Sequence, residues 1–556
     1  MTHKLKNIIV LGCIVLIAVF LRVWDLGNTP PSPDWDETAL GYNAYSILKT
    51  GRDEYGNFLP LTIRSFDDYK PPLYVYVAIP FVAFLGLDTW VVRLPSVVAG
   101  VLAVIGTFLL VQELLRYDIL RFDRKKTFKV LRVFWEKLPF VSAFLLALSP
   151  WHIQFSRIAF EANLGVTLNI FGVYFFVRGM KSKLFLSLSA VAFGLALYAY
   201  HSERLFVPLL GVILFIIFFR DIKKMGVSFL LFIVVGFAVT APLIPIFTDK
   251  TTLTRLQGTS ALADQTGLLA RSVGKIEDDL HAGNTLGQIF DNRRIVWLQT
   301  VAGGYLSHFS LRWLFITGDN QRHHAPGMGL LYLFELPFLL IGLYWTARRP
   351  SILRSLLLPW FFVAPIAASV TTELPHAIRT LVFLPTFQVF VAVGLLESYE
   401  YIYRFSKVLR YMLSGTFVLL FALNILFFLH MYFVHMNSEY SASWQYGYKE
   451  AVQYTKDNYD RYDKFVVSIK LEQPHMFFLY FLKYPPEEYL KAGGTKSGGF
   501  KENQNSFGKY EFREIHWDSE IKDGKTLYIG TPKEISSGIE IIRYLDSKSA
   551  FVVADR

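Results

Sequence analysis

A single cysteine, Cys13, is all that 556 residues contain, and that scarcity closes two routes at once. No internal disulfide can form, and a zinc site built on several cysteines is excluded. Charge is scarce as well. Asp, Glu, Lys and Arg make up 18% of the chain, against about a quarter in a soluble domain, so a soluble globular protein is excluded. No P-loop or other nucleotide-binding pattern is visible, and neither is a tandem repeat or a low-complexity tract. What fills the chain is apolar: it is 53% hydrophobic and 16% aromatic, with many runs of roughly 17–25 residues, the length that a spanning helix needs. The formal charge of +11 does not point to nucleic acid. The basic residues sit in short patches between the apolar runs, the pattern that sets membrane orientation.

That alternation gives a topology. Lys4 and Lys6 precede a run from Asn7 to Trp24 with no small-x-small cleavage site after it, which reads as an uncleaved helix with a cytoplasmic N-terminus. The run at 91–115 ends in the most basic loop of the chain, Arg116 to Lys137, which should be cytoplasmic. Residues 25–90 then form one external loop. Its apolar segment 71–87, opened by two prolines, reads as a helix lying at the membrane surface. Further spans are expected at about 138–154, 162–179, 184–200, 205–219, 227–247, 329–346, 355–370, 381–397 and 412–434. The prediction is a polytopic α-helical membrane protein of about eleven spans, with its N-terminus inside and its C-terminus outside. Residues 1–436 form the transmembrane domain, with external loops 25–90 and 248–328, and 437–556 form a small external soluble α/β domain. In that tail "EAVQYTKDNY" has helical spacing, while "DKFVVSI" and "KTLYIG" read as strands.

On this topology the unusual polar residues converge outside. Asp34, Asp36 and Glu37 open the first loop, and "FDDYKPPLY" brings Asp67, Asp68 and Lys70 to the start of the surface helix. His152, Arg157 and Glu161 sit at the outer ends of two spans, His201, Glu203 and Arg204 in the next external turn, and Glu373, His376 and Arg379 in another. Ionisable residues at membrane depth are costly and mark candidate functional sites. Each has a plainer reading: an Arg or His at a helix end can be an interfacial anchor, and Asp36 and Glu37 can serve only as N-cap and dipole partners. Arg322, His323 and His324 look like metal ligands, but adjacent histidines seldom chelate one ion together, so no metal is predicted there.

Carboxylates and cations together on an outer membrane face suit transfer from a lipid-linked phosphate donor. A carboxylate takes the proton of the attacking hydroxyl, and Lys and Arg stabilise the departing phosphate. Such a donor needs no nucleotide-binding fold. Two rivals remain: a ligase or polymerase using lipid-linked oligosaccharide, and a transporter or flippase of lipid-linked sugar. The latter would place its charges near the bilayer midplane.

The residues resemble the C-type polytopic glycosyltransferases, in particular the superfamily of protein O-mannosyltransferases and lipid A aminoarabinose transferases, in a bacterial member. The likeness rests on "DE" at Asp36–Glu37, "KPPL" at Lys70–Leu73, "RLPS" at Arg93–Ser96, the Ser156, Arg157 and Glu161 pattern, "LPHAIRTLVFLP", "SHFSLRWLF" and "WQYGYKEAV". It covers most of 20–435. The resemblance implies the C-type fold with juxtamembrane helices at 36–50 and 71–87, and an inverting hexosyl or pentosyl transfer from a polyprenyl-phosphate sugar. The acceptor is a glycan, lipid or protein, and membrane lipids are the other partners. It implies Asp36 as base; the external constellation adds Glu37, Asp68 and Glu161 as candidate catalytic carboxylates and Lys70, Arg157, Arg204, His376 and Arg379 as candidate donor-phosphate ligands. No metal is implied as obligatory, and divalent metal dependence is left open. The location implied is a bacterial cytoplasmic membrane. Two departures stand out. Tyr69 precedes "KPPL" where the aminoarabinose transferases carry an acidic residue, and 248–328 is too short for the lectin-like insert of the protein mannosyltransferases.

Overall fold

The computed structural model describes residues 3–66, 68–122, 125–248, 260, 265–496 and 505–555. Asp67 and Arg124 lie outside the described residues, as do the side chains of Asp68 and of 120–135, which carry most of the basic loop.

A helix stands wherever an apolar run predicted a span. These are α1 (His3–Val23), Thr89–Phe122, Lys125–Leu148 followed by Pro150–Ser156, Ala162–Gly179, Lys183–Ala196, Glu203–Met225, Val227–Thr240, Glu335–Arg348, Ile352–Val363, Thr386–Ile402 and Lys407–His430. Among the described residues, seven helices are long and apolar enough to cross a bilayer. An eighth qualifies if Glu136–Leu148 and Pro150–Ser156, bent by 60°, form one span. The bend falls at a proline, which has no N–H to continue the ladder. At the expected span 329–346 the helix starts only at Glu335. The residues before it are held irregular by other partners: Leu330 O accepts from Trp151 N, Leu331 N donates to Leu314 O, and the Tyr332 hydroxyl donates to Leu148 O.

Internal contacts divide the chain into two compact units. One comprises Met1–Ile14, Ala103–His152 and Gly165–Asn424; the other comprises Val15–Leu102, Ile153–Leu164 and Ile425–Arg556.

In the first unit, Glu335–Arg348 and Thr386–Ile402 approach as closely as helices can. A Cβ on Gly342 would stand 1.8 Å from Phe390 O, and one on Gly394 would stand 1.9 Å from Phe338 O. Small residues that admit backbone contact are how helices associate where no hydrophobic force separates protein from lipid. Nearby, Phe361 packs against Phe383, Phe387 and Phe390 with ring centroids 5.2–5.5 Å apart, a range suited to tilted and edge-to-face contacts.

The second unit begins with α2 (Trp35–Thr50), a hairpin of β1 (Ile63–Ser65) and β2 (Asp68–Lys70), α3 (Leu73–Leu85) and the start of α4 (Thr89–Phe122). Asp34, in extended conformation, caps α2 by accepting from Glu37 N, and Gly51 closes the helix at φ 71°, the left-handed C-cap that glycine takes without strain. Lys70 thus ends a strand rather than opening the surface helix. The tail holds the predicted helix, Tyr448–Asp457, and a six-stranded mixed sheet. Its strands are β3 (Lys464–Ser468), β4 (Ser506–Phe507), β5 (Tyr510–Arg513), β6 (Thr526–Gly530), β7 (Glu540–Arg543) and β8 (Ser549–Ala554), in the order β4-β5-β3-β6-β8-β7. β3 is parallel to both neighbours, β5 and β6, and buries Phe465, Val466 and Val467.

The tail and the segment that follows α2 meet around Glu54, which is 2% exposed. Its carboxylate accepts from Asn43 Nδ2 (3.0 Å) and Thr495 Oγ1 (2.7 Å), and its carbonyl accepts from Thr495 N (3.1 Å). Burial, opposed by those two hydrogen bonds, pushes this carboxyl up from 4.5 to about 7. The folded state therefore holds the proton more tightly than the unfolded one. The stability from Glu54 is fully present below about pH 4.5 and is lost as pH rises through about 7. A Glu54→Gln variant should match the wild type in thermal unfolding near pH 5 and exceed it near pH 8, by at most about 3 kcal/mol at 1.36 kcal/mol per unit. A Gln amide can donate to Thr495 Oγ1, which lies 2.9 Å from the Tyr489 hydroxyl. Equal wild-type and variant melting at both pH values contradicts this. In the first unit, Gly342→Ala should abolish the monodisperse peak in size-exclusion chromatography, because the clash is with backbone.

Candidate functional site

The residues singled out in the sequence fall into two clusters, one in each compact unit. In the second unit, the three carboxylates that open the first loop have different fates. Asp34 is fully buried as the cap of α2. Glu37 is 1% exposed and forms a bidentate pair with Arg93: Nε and Nη2 donate to its two oxygens at 2.9 Å each, and Ala159 N donates at 2.7 Å. Asp36, one residue earlier on α2, keeps a side chain that is 30% exposed and pairs with the Lys70 ammonium, itself 10% exposed. Only Asp36 of the three reaches solvent, so the plainer reading, capping, belongs to Asp34.

Arg93 is the residue whose role the sequence reading missed. In the sequence it stands out only as part of "RLPS", although a cation in the second turn of an apolar span is itself a signal. Its remaining N–H groups go to backbone: Nη1 donates to Leu26 O and Pro30 O, and Nη2 to Ser32 O. Arg157 does similar work. It is fully buried, donates to Leu21 O (2.9 Å) and Thr29 O (2.7 Å), and lies 4.9 Å from the Phe433 ring. The loop between α1 and α2 is thereby wound around two buried guanidinium groups. Asn437 Nδ2 donates to Asn28 O, and Gln445 Oε1 accepts from Trp35 N, so residues from the tail pin the same loop. Glu161 is 6% exposed at the start of Ala162–Gly179. The side chain of Asp68 lies outside the described residues.

The first unit holds Arg204, His376 and Arg379. Arg204 Nη1 stands 3.4 Å from His201 Nδ1, while the neighbouring Glu203 accepts from Asn169 Nδ2 at 2.6 Å. Arg379 Nη1 donates to Thr371 Oγ1 and Thr372 O. His376 sits among groups that no spacing in the sequence connects. His323 Nδ1 lies 3.0 Å from Asp319 Oδ2, which also accepts from Ala377 N at 2.7 Å. The His323 and His376 rings are 5.1 Å apart. His308 Nδ1 donates to Gly304 O (2.8 Å), leaving Nε2 to accept from His376 N (3.2 Å). Burial draws His308 down to about 4 and His376 well below its usual value, with His323 and Arg379 adding to the latter. Burial alone would raise Asp319, but the charge and hydrogen bond of His323, with Ala377 N–H, hold it at about 2.

Among solved structures, ArnT from Cupriavidus metallidurans bound to undecaprenyl phosphate is similar. The TM-score is 0.50 at 12% identity, over 99% of this chain and 98% of that one. The apo oligosaccharyltransferase of Archaeoglobus fulgidus gives 0.50 at 16% identity, over 86% of this chain. The chain has the C-type glycosyltransferase fold. The archaeal AglB in complex with an inhibitory peptide and a dolichol-phosphate gives 0.50 at 14% identity. The present chain spans 64% of the length of that C-type protein. No protein-family model matches the sequence, and no curated protein is similar to it at a significant level.

Removing one partner of a buried ion pair strands the other charge, at about 3–5 kcal/mol. Arg93→Met should therefore collapse the yield of folded protein in detergent. The double variant Arg93→Met/Glu37→Gln should recover part of it, since no uncompensated charge remains. The measurement is the thermal unfolding midpoint, and a single variant that melts like the wild type contradicts the assignment.

Proposed function

We propose that the protein transfers a sugar, with inversion, from a polyprenyl-phosphate donor to an acceptor hydroxyl on the outer face of the membrane. The observation that carries the reading is the Asp36–Lys70 pair: a part-exposed carboxylate beside an ammonium, on a helix start whose other two carboxylates are buried and engaged. The C-type fold supports it, as do the bound lipid phosphates of its structural neighbours, undecaprenyl phosphate in ArnT and a dolichol-phosphate in AglB.

In this reading the acceptor oxygen attacks the anomeric carbon, and Asp36 takes its proton. The bond from that carbon to the phosphate oxygen breaks, and the lipid phosphate leaves with the electron pair. A lipid phosphate is a weak base and needs no proton, but its charge needs a cation, the role of Lys70. Glu37, Arg93 and Arg157 are positioning residues that fix the start of α2. Their hydrogen bonds are spent on one another and on backbone carbonyls. The proposal rests on Asp36 and Lys70 and asks nothing of Arg204, His376 or Arg379. Orientation with the tail outside rests on the alternation of basic turns.

A second reading, transfer of a lipid-linked oligosaccharide, is favoured by the likeness to the oligosaccharyltransferase. Matching length favours the first, since the chain covers 98% of ArnT but 64% of the archaeal protein.

The test is incubation of purified protein with radiolabelled polyprenyl-phosphate sugars, hexosyl and pentosyl, scoring release of the lipid phosphate. Asp36→Asn should lower turnover by about 10²–10⁴-fold, the range of a lost general base, with donor affinity nearly intact. Lys70→Ala should weaken donor binding as well as turnover, because a phosphate loses a charged partner before and during bond cleavage. Near-normal turnover in Asp36→Asn removes the central claim.

A further inference from the structure

The cluster in the first unit has the donor set of a transition-metal site. Asp319, His323 and His376 each offer one ligand atom, and these atoms all lie within 4.8 Å of one another. We propose that Asp319, His323 and His376 bind one zinc ion, which cross-links the segment before Glu335–Arg348 to the turn that carries Arg379. This inference does not rest on the transferase reading.

Zinc takes His nitrogen and carboxylate oxygen at about 2.0–2.2 Å, which sets the donors of a tetrahedral site roughly 3.3–3.6 Å apart. The 3.0 Å separation of His323 Nδ1 and Asp319 Oδ2 is already near that spacing, and small side-chain rotations bring in the third donor. Two atoms here are otherwise unexplained. His376 Nδ1 and Asp319 Oδ1 are buried and have no hydrogen-bond partner among the described residues. A buried polar atom without a partner carries a desolvation cost of about 1–3 kcal/mol, and two such atoms in one three-residue cluster are what ligation would satisfy.

The surroundings fit as well. Ala377 N donates to Asp319 Oδ2, and His308 Nε2, with its tautomer set by Gly304 O, accepts from His376 N. Ligand-bearing segments are thus oriented by an outer shell of hydrogen bonds, as in metal sites generally. The side chains of His323 and Asp319 are 7% and 12% exposed, so the site is shielded without being sealed. His324, which adjoins His323 in sequence, is not a ligand. Its Nδ1 donates to Ala325 O, so the adjacent pair divides its work. The ligands Asp319 and His376 lie 57 residues apart in the chain, and a loop of that length is the kind that a metal clip closes with most effect.

The test needs neither donor nor acceptor. Full-length protein carrying a tag without histidine is stripped with EDTA in detergent, dialysed against zinc, freed of excess and analysed for metal by mass spectrometry. The expected result is about one zinc per chain, with thermal unfolding raised on repletion. Asp319→Asn, which keeps the size and the acceptor for Ala377 N, and His376→Ala should each lower zinc affinity at least tenfold, while His324→Ala keeps it. Should the variants fail to fold, cobalt titration of the stripped wild-type protein gives an independent answer. The site should develop the visible absorbance of four- or five-coordinate cobalt, which zinc then displaces. Repleted wild-type protein with less than 0.2 zinc per chain overturns the proposal, and so does full affinity retained in both ligand variants. The absence of a zinc-displaceable cobalt spectrum does the same. None of these outcomes bears on Asp36 or on sugar transfer, which the release assay judges separately.

Discussion

The ion pair of Glu37 and Arg93 is the constraint on which the loop between α1 and α2 depends. Both side chains are removed from solvent, where an unpaired charge would be expensive to hold. All five N–H groups of the guanidinium find oxygen: two on Glu37 and three on carbonyls of the loop between α1 and α2. A flexible strap of chain is thereby given one conformation by a side chain from α4. Asp36 inherits its direction from this arrangement, since the residue beside it in the helix has no freedom to rotate away. The loop's own sequence, with Pro30, Pro31 and Pro33, offers few backbone donors of its own. It supplies acceptors to the cations from elsewhere.

Much of the fold was legible because the bilayer imposes a coarse rule. Long apolar runs have one economical structure, the helix, and each predicted run is found as one. The tail helix and the strands at 464–468 and 526–530 follow from local spacing and β-branched content. Other features turn on partners distant in sequence. The short hairpin that ends at Lys70 was invisible, since its strands pair over only three residues each. The delayed start at Glu335 was hidden for the same reason: carbonyl partners at 148 and 314 and the amide of Trp151 hold the preceding residues.

The candidate site was legible by residue type but not by rank. Asp36 and Lys70 were both picked out, and their contact gives that choice a geometry. Glu37 and Arg157 share the same signal, being charges at the membrane border, and both are buried and hydrogen-bonded within the protein. His323 was weighed beside His324 because the two adjoin. Its companions in space, Asp319 and His376, come from segments that no spacing rule connects. Sequence shows which charges are unusual, and only burial and pairing tell which of them are still available to a ligand.

The order of strands in the tail has a consequence for how the protein is made. β8 lies between β6 and β7, and among the described residues β7 has no sheet partner but β8. Residues 549–554 leave the ribosome after the other five strands of this sheet, so β6 waits with an open edge and β7 with none of its ladder. A domain of this topology completes its sheet after synthesis of its last strand, not during it. Until then Leu527, Tyr528 and Ile529, all buried in the finished fold, are exposed on a strand edge that invites pairing with another chain. Truncation within β8 therefore leaves the defect at an inner position of the sheet, where its effect is aggregation of the nascent protein instead of a frayed terminus.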